Sequence, residues 1–323
     1  MVKIGLIGCG FMGSMHANCY KNIEGVKLVA VADIRREKAL ELADGAEIYA
    51  DGMELIKNAE VDAIDICLPT YLHAEYARAA MEKVKYLFVE KPVALTESEA
   101  VSMENKAAET GCRVQVGQVI RFWDEYVCLK EIIESGVYGK VVSANFRRIS
   151  PRPLWGWENW LLNAKLSGGA AQDLHIHDTD YVLSLFGEPQ EFASVKNKIG
   201  EENSYIQTVM RYENFVVSVE GTWDLPASHP FEASFRVVFE KATVENAGGR
   251  FLCYDTEGSH TIEIAKKELS NEYRGGNISD LGGYYNELLY FTDAIKNQNP
   301  IEKATLAEAS HSLSFVLKEI ARA

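Results

Sequence analysis

The chain predicts an α/β fold in two parts: an N-terminal doubly wound parallel sheet, and a C-terminal α/β domain with a large, mostly antiparallel open sheet. Three observations carry this. A glycine turn, Gly8-Cys9-Gly10-Phe11-Met12-Gly13, stands between an apolar run and a helical stretch. Strand and helix patterns alternate through the first third of the chain. From about Val141 onward, strand patterns follow one another with turns, not helices, between most of them.

Val2 to Ile7 is short, apolar and suited to a buried parallel strand, and Met12 to Asn22 can form a helix directly behind the turn. Lys27 to Ala32 is β-branched and apolar and ends at Asp33, twenty positions after Gly13. An amphipathic stretch, Arg35 to Leu42, leads to a short Ile48-Tyr49 strand and a helix around Met53 to Lys57. Ala63 to Leu68 is the next buried strand, stopped by Pro69-Thr70 ahead of the helical stretch His73 to Lys83. Tyr86 to Val89 terminates at Glu90-Lys91-Pro92, and a helix from Glu97 to Glu109 leads to the strand Arg113 to Val116. The boundary falls near residues 118 to 125, which predicts a first domain over 1–120 and a second over 121–323. In the second, Val141 to Arg147, Gln207 to Tyr212, Phe215 to Glu220 and Phe235 to Glu240 alternate as antiparallel strands do. A helix from about Asp173 to Phe186 interrupts them, stopped by Gly187 and Pro189. The Gly275-Gly276 region reads as a loop before the closing helices.

With 323 residues and 47% hydrophobic content, the chain can bury the cores of two domains. A formal charge of −14 with no long basic stripe argues against nucleic acid or an anionic membrane as partner. Cys9, Cys19, Cys67, Cys112, Cys128 and Cys253 show no paired spacing, which suits a reducing compartment. The apolar start is too short and too glycine-broken for a signal peptide or a membrane span, so a cytoplasmic location is expected.

The glycine turn is built to lie against a pyrophosphate. The first Gly allows the tight turn, the second lets a phosphate approach backbone, the third lets helix pack on strand, and the helix N-terminus offers N–H groups. Asp33 stands where a carboxylate accepts from ribose hydroxyls and repels a 2′-phosphate, which favours NAD, with NADP as the alternative because Arg35 and Arg36 follow. Asp33 can equally serve as an N-cap for the next helix. Ligands of such sheets bind at the carboxyl ends of strands. The expected cofactor contacts are therefore Gly8, Gly10, Phe11, Met12, Gly13, Asp33, Ile34, Leu68, Pro69, Thr70, His73, Glu90, Lys91 and Gln118.

Lys91, at a strand end facing the expected nicotinamide, can steady an alkoxide or relay a proton; its structural alternative is a surface ion pair with Glu90. On a helix, Asp173 and His177 share a face at i and i+4, so a carboxylate orients an imidazole that serves as general base. His175 reads as a hydrogen-bonded, partly buried histidine. Were this segment a strand or loop, His175 and His177 with Asp178 or Asp180 could bind zinc, but Leu174, Tyr181, Leu185 and Phe186 fit a helix and no metal is assigned. Trp155, Trp157 and Trp160, with Arg148 and Arg152, precede that helix. Tryptophans stack on sugar or cyclitol rings and arginines grip anions, the alternative being a covered domain junction and a solvated edge. Arg148, Trp155, Trp160 and Tyr284 are the substrate candidates.

Taken with His16 after the glycine turn, Pro69 with His73, Glu90-Lys91-Pro92, Arg121-Phe122 after Val116-Gly117, Asp173 with His177, and Tyr284-x-x-Glu287 before Phe291, the chain resembles the Gfo/Idh/MocA family of NAD(P)-dependent oxidoreductases over almost its whole length. The resemblance implies a Rossmann domain joined to a larger open-sheet domain, with substrate between them over the nicotinamide, and Lys91, Asp173 and His177 as the catalytic set. It also implies a homodimer or homotetramer paired through the exposed sheet face. The expected activity is hydride transfer between nicotinamide and a secondary hydroxyl or ketone of a sugar, sugar derivative or inositol. The rival readings are a non-catalytic dinucleotide-sensing regulator on the same fold and, third, a metal-dependent hydrolase. Two departures stand out: His175 occupies a position that is small in the family, and the usual proline after Arg121-Phe122 is missing, with Trp123 beside it.

Overall fold

The computed structural model describes residues 1–197, 203–264 and 282–323; the Gly275-Gly276 pair lies outside them. The chain divides into two compact units, Met1–Val119 with Glu268–Leu313, and Ile120–Lys267 with Ser314–Ala323.

The first unit is the expected doubly wound sheet. Strands β1 (Val2–Ile7), β2 (Val26–Ala32), β3 (Glu47–Tyr49), β4 (Ala63–Ile66), β5 (Tyr86–Val89) and β6 (Arg113–Val116) pair in the order β3-β2-β1-β4-β5-β6. Every ladder is parallel. Ile4, Leu6, Ile64, Ile66, Leu87 and Val89 are buried, as a sheet covered on both faces requires. Between the strands run α1 (Phe11–Lys21), α2 (Arg36–Leu42), α3 (Gly52–Asn58), α4 (Thr70–Met81) and α5 (Glu97–Thr110). Helix α5 starts in a capping box, Thr96 with Glu99, and stops at Gly111 in the left-handed region. The order reverses between β1 and β4, which sets the ligand crevice at their carboxyl ends.

The second unit opens with α6 (Asp124–Ser135) and carries an eight-stranded sheet, in chain order β7 (Val141–Pro151), β8 (Glu191–Lys196), β9 (Tyr205–Arg211), β10 (Val216–Leu225), β11 (Glu232–Phe239), β12 (Thr243–Ala247), β13 (Arg250–Asp255) and β14 (Gly258–Thr261). The spatial order is β14-β13-β12-β11-β7-β10-β9-β8. Among the described strands of this sheet, only the β7·β10 pair is parallel. One face, with Ala144, Phe146, Ile206, Met210, Val217, Val219, Phe235, Val237 and Val244, is buried. Helices α7 (Ala164–Ser167) and α8 (Ile176–Phe186) stand in the connection from β7 to β8.

The expected single cut at residue 120 needs correction. Helix α9 (Gly282–Asn297) belongs to the first unit, and the closing helix α10 (Leu306–Arg322) contributes residues to both. The reason is packing: Phe291 of α9 meets Phe88 edge-on with ring centroids 5.5 Å apart, and Lys296 reaches the Glu24 carbonyl at 2.9 Å. Among the described residues, no helix is long and apolar enough to cross a membrane.

Candidate active site

The three glycines of the turn divide their work. Gly8 has φ +95°, and a Cβ there would run into the Cys67 carbonyl oxygen. A Cβ on Gly13 would collide with the Gly8 carbonyl oxygen. Gly10 differs: an ideal Cβ meets only the Arg35 Nη2 atom, at 3.7 Å. Packing therefore demands glycine at 8 and 13, while at 10 it leaves the space in front of the backbone open. The first bond of α1 is Ser14 N–H to the Gly10 carbonyl at 2.9 Å, so Met12 and Gly13 lie in the turn whose N–H groups the helix itself does not satisfy. This is a fit for a pyrophosphate.

Asp33 is 8% exposed. Its Oδ2 accepts the Cys9 N–H at 2.8 Å and the Arg35 Nη2 at 3.2 Å, and its Oδ1 accepts the Arg35 N–H at 2.8 Å and Nε at 3.2 Å. The N-cap of α2 is Arg35, so the alternative role of Asp33 as N-cap is corrected: its carboxylate turns back onto the glycine turn. Ile34 beside it is exposed.

The remaining cofactor candidates line the carboxyl ends of β4, β5 and β6. Leu68 and Pro69 are half-buried, and Thr70, the first residue of α4, is buried with no hydrogen-bond partner for its hydroxyl. Among the described residues, fully buried Gln118 has no partner for either amide atom. Such orphaned polar atoms suit a site completed by a polar ligand. His73 is turned inward, Nδ1 at 2.8 Å from the Pro92 carbonyl and Nε2 at 2.8 Å from the Leu68 carbonyl. Each ring nitrogen thus faces a backbone carbonyl of a strand-end loop, and the neutral imidazole has one N–H to give to the two. Burial pushes its pKa down against the pull of the two carbonyls.

Glu90 and half-buried Lys91 follow β5. The Lys91 N–H donates to Glu90 Oε2 at 3.1 Å, while Glu90 Oε1 lies 3.1 Å from His16 Nε2. His16, fully buried on α1, places Nδ1 2.8 Å from Asp65 Oδ2, which also accepts the Tyr20 hydroxyl at 2.8 Å. Desolvation disfavours the charged ring, but the Asp65 carboxylate and the Cys67 side chain outweigh it and hold the His16 pKa well above the ordinary value. Glu287 on α9 is fully buried, with neither oxygen hydrogen-bonded among the described residues. Burial, then Glu90 and Asp65, push its pKa well up against His16 and Lys303, which favours the protonated form. Tyr284, a substrate candidate, lies in this first unit with its ring 6.4 Å from that of His16.

In the second unit the sequence misjudged one local conformation. Ala171–His175 forms a π-helical turn ahead of α8, so the helix expected from Asp173 is regular only from Ile176. Glycine permits the close approach: a Cβ on Gly221 of β10 would stand 2.6 Å from the His175 Cβ. Asp173 is half-buried in that turn, and His177, 8% exposed, lies in the first turn of α8. Lys91 belongs to the first unit and this pair to the second.

Around His177, alternate side chains are anchored. His175 Nε2 is 3.2 Å from Glu319 Oε1, both fully buried, and Thr179 donates to the other oxygen of Glu319 at 3.3 Å. His175 is thus the hydrogen-bonded core histidine expected, more deeply buried than expected. Arg148 donates to Asp178 through Nε at 2.7 Å and Nη2 at 3.3 Å, and Arg121 to Asp180 at 2.7 and 2.8 Å. Arg148 is therefore corrected as a substrate candidate: it is 2% exposed, its guanidinium committed to Asp178 and stacked 5.7 Å from the Trp123 ring. The same pairs take the aspartates that a His175–His177 zinc site requires, and the segment is helical. Sequence reasoning missed the pairing, although two aspartates on an otherwise apolar helix signal buried partners.

Of the tryptophans, Trp155 is 56% exposed, and Trp157 and Trp160 are half-buried in a 3-10 segment where Glu158 and Asn159 hold left-handed φ of 50° and 54°.

Comparison with known proteins bears on this geometry. A family model described as "Oxidoreductase family, NAD-binding Rossmann fold" matches residues 2–118, and one described as "GFO/IDH/MocA C-terminal domain" matches 126–245. Myo-inositol 2-dehydrogenase of Thermotoga maritima is 32% identical over 208 residues, 62% of this chain and 60% of that protein. The chain thus spans about 60% of that relative's length. The scyllo-inositol 2-dehydrogenase (NAD(+)) of Bacillus subtilis is 30% identical over 313 residues, 92% of this chain and 86% of the relative. Levoglucosan dehydrogenase, solved in complex with NADH and levoglucosan, superposes with a TM-score of 0.83 at 21% identity, over 99% of this chain and 97% of the other, a likeness of fold.

Proposed function

Since the chain belongs to the Gfo/Idh/MocA family of oxidoreductases with an NAD-binding Rossmann fold, we propose that it is an NAD-preferring dehydrogenase acting on a secondary hydroxyl of an inositol, a sugar or a sugar derivative. The observation that carries the reading is the open face of Gly10 between two glycines that packing requires, with Asp33 directed at the same turn. The relatives named as inositol 2-dehydrogenases supply the substrate class.

Gly8 to Gly13 hold the pyrophosphate, Asp33 the ribose, and the strand-end residues Leu68, Pro69, Thr70, Glu90 and Gln118 the nicotinamide half. When bound, the nicotinamide accepts or returns hydride at the carbon that bears the reacting oxygen. His177 takes the proton from that oxygen, Asp173 orients the imidazole, and Lys91 steadies the developing negative charge. Trp155 and Trp160 offer ring faces to a cyclic polyol. The protein works in the cytoplasm as a homodimer or homotetramer.

The test is a panel of inositols, sugars and sugar derivatives with NAD and NADP, followed by nicotinamide absorbance. Turnover with NAD is expected, and Lys91→Ala and His177→Ala are each expected to lower kcat by about 10²–10⁴-fold while still binding NADH. Failure of every substrate, or variants as active as wild type, overturns the reading; NADH binding without turnover points instead to a dinucleotide-sensing regulator.

A further inference from the structure

Two buried histidines that the proposed chemistry leaves unused close on the tripeptide that carries Lys91. On one side, His16 Nε2 meets Glu90 Oε1 at 3.1 Å, and the other oxygen of that carboxylate accepts the Lys91 N–H at 3.1 Å. Glu90 lies against Gly117, where an added Cβ would stand 3.0 Å from its carboxylate oxygen. On the other side, His73 Nδ1 meets the Pro92 carbonyl at 2.8 Å. The far nitrogen of each ring faces a different strand end, His16 Nδ1 at 2.8 Å from Asp65 and His73 Nε2 at 2.8 Å from the Leu68 carbonyl. Neutral His73 serves Pro92 as the tautomer with its one N–H on Nδ1.

We propose that His16 and His73 are positioning residues for Lys91, His16 by fixing the Glu90 carboxylate that receives the Lys91 amide and His73 by fixing the Pro92 carbonyl that follows it. The proposal rests on Lys91 acting as read under Proposed function. Asp65 and the Cys67 side chain favour the cationic ring, so Glu90 faces a positive imidazole at 3.1 Å, a charge contact that is not a hydrogen bond. The far-side anchors matter because they leave neither ring free to rotate, and a displaced catalytic group costs rate even when every group is present.

Removing either ring outright leaves buried acceptors unpaired, so loss of folding must be separated from loss of position. Amide side chains do this, since an Asn amide overlays Nδ1 and a Gln amide overlays Nε2. His16→Gln keeps a polar amide against Glu90, and His16→Asn keeps a donor toward Asp65; His73→Asn places its amide on the Pro92 carbonyl, and His73→Gln on the Leu68 carbonyl. With the cofactor-loaded full chain, His16→Gln and His73→Asn should retain on the order of tenfold more kcat than their counterparts, at KM values for NAD within about twofold. A second readout needs no turnover: after reductive methylation with carbon-13 formaldehyde, the Lys91 resonance, assigned by its loss in Lys91→Arg, should stay near its wild-type position in the first two variants. In the other two it should move toward that of exposed lysines. Activity losses that track thermal stability regardless of which contact is kept, or a Lys91 resonance unmoved in all four, overturn the proposal. Should the wild type turn over no substrate, the dehydrogenase reading falls, and the Lys91 resonance still decides whether the two histidines set its position.

Discussion

Residues that look alike in the sequence carry opposite constraints. Gly10→Ala adds a methyl into space limited only by the end of the flexible Arg35 side chain, so the melting temperature should hold while NADH affinity falls by about tenfold or more, roughly 1.4 kcal/mol. Gly13→Ala drives the same methyl into the Gly8 carbonyl and should cost about 1–3 kcal/mol of stability before any ligand is added. Paired thermal melts and NADH titrations separate the two; equal melting losses would remove the case for an open pyrophosphate face. Glu287 gives a pH prediction. Its raised pKa means the folded chain keeps a proton that the unfolded chain releases, so the native state binds more protons and stability falls as pH rises above the ordinary carboxylate range. Glu287→Gln removes that penalty. Its melting temperature should exceed the wild type's near pH 8, with the gap shrinking toward about pH 4; a gap independent of pH would contradict a neutral Glu287. The glycine spacing was legible in the sequence because backbone sterics write it locally. The burial of Glu287 was not, because it depends on α9 returning to α1 across most of the chain.

The element that presents His177 is held by charge as much as by apolar packing. Helix α8 buries Asp178 and Asp180, and each is met by an arginine from a distant segment, Arg148 on β7 and Arg121 ahead of α6. The helical character of this stretch could be read from Tyr181, Leu185 and Phe186. The π-helical turn before it could not, since it lies against β10, where only glycine at 221 leaves room for His175. The missing proline after Phe122 has a structural counterpart too: Trp123 caps α6 and packs its ring on Arg148 and Tyr126. Removing one partner of a buried pair leaves an uncompensated charge, so Arg148→Ala should cost about 3–5 kcal/mol. Arg148→Met combined with Asp178→Leu should recover most of that loss, because both charges leave together. Denaturation midpoints of the two variants decide: a double variant no more stable than the single would show that unpaired charge is not the cause.

At the scale of the molecule, each sheet was legible as a type and the division of the chain was not. Alternation in β7, β9, β10 and β11 announces one wet face and one dry face, whereas nothing in the composition of α9 says that it packs on the first sheet's helix and not beside the second sheet. The wet face has its own consequence. By register, Val209 of β9 pairs with Ser218 of β10 and Ala193 of β8, and Val216 with Ser143 of β7, so Val195, Val209, Val216 and Tyr254 all point to the same side, opposite the buried core. Their exposures of 61, 44, 42 and 40% are high for a face that also bears the Arg147–Glu220 and Arg236–Glu245 ion pairs. An apolar and charged mosaic of this kind suits pairing with a second copy of itself, since a two-fold axis lets each patch meet its own complement. Light scattering should therefore give the mass of a dimer or tetramer, and Val209→Glu, which sets like charges opposite one another across such an axis, should shift it toward the monomer without lowering the melting temperature of the isolated fold by more than about 1 kcal/mol-equivalent. A wild-type monomer, or a Val209→Glu protein of unchanged mass, would place the contact elsewhere than on this face.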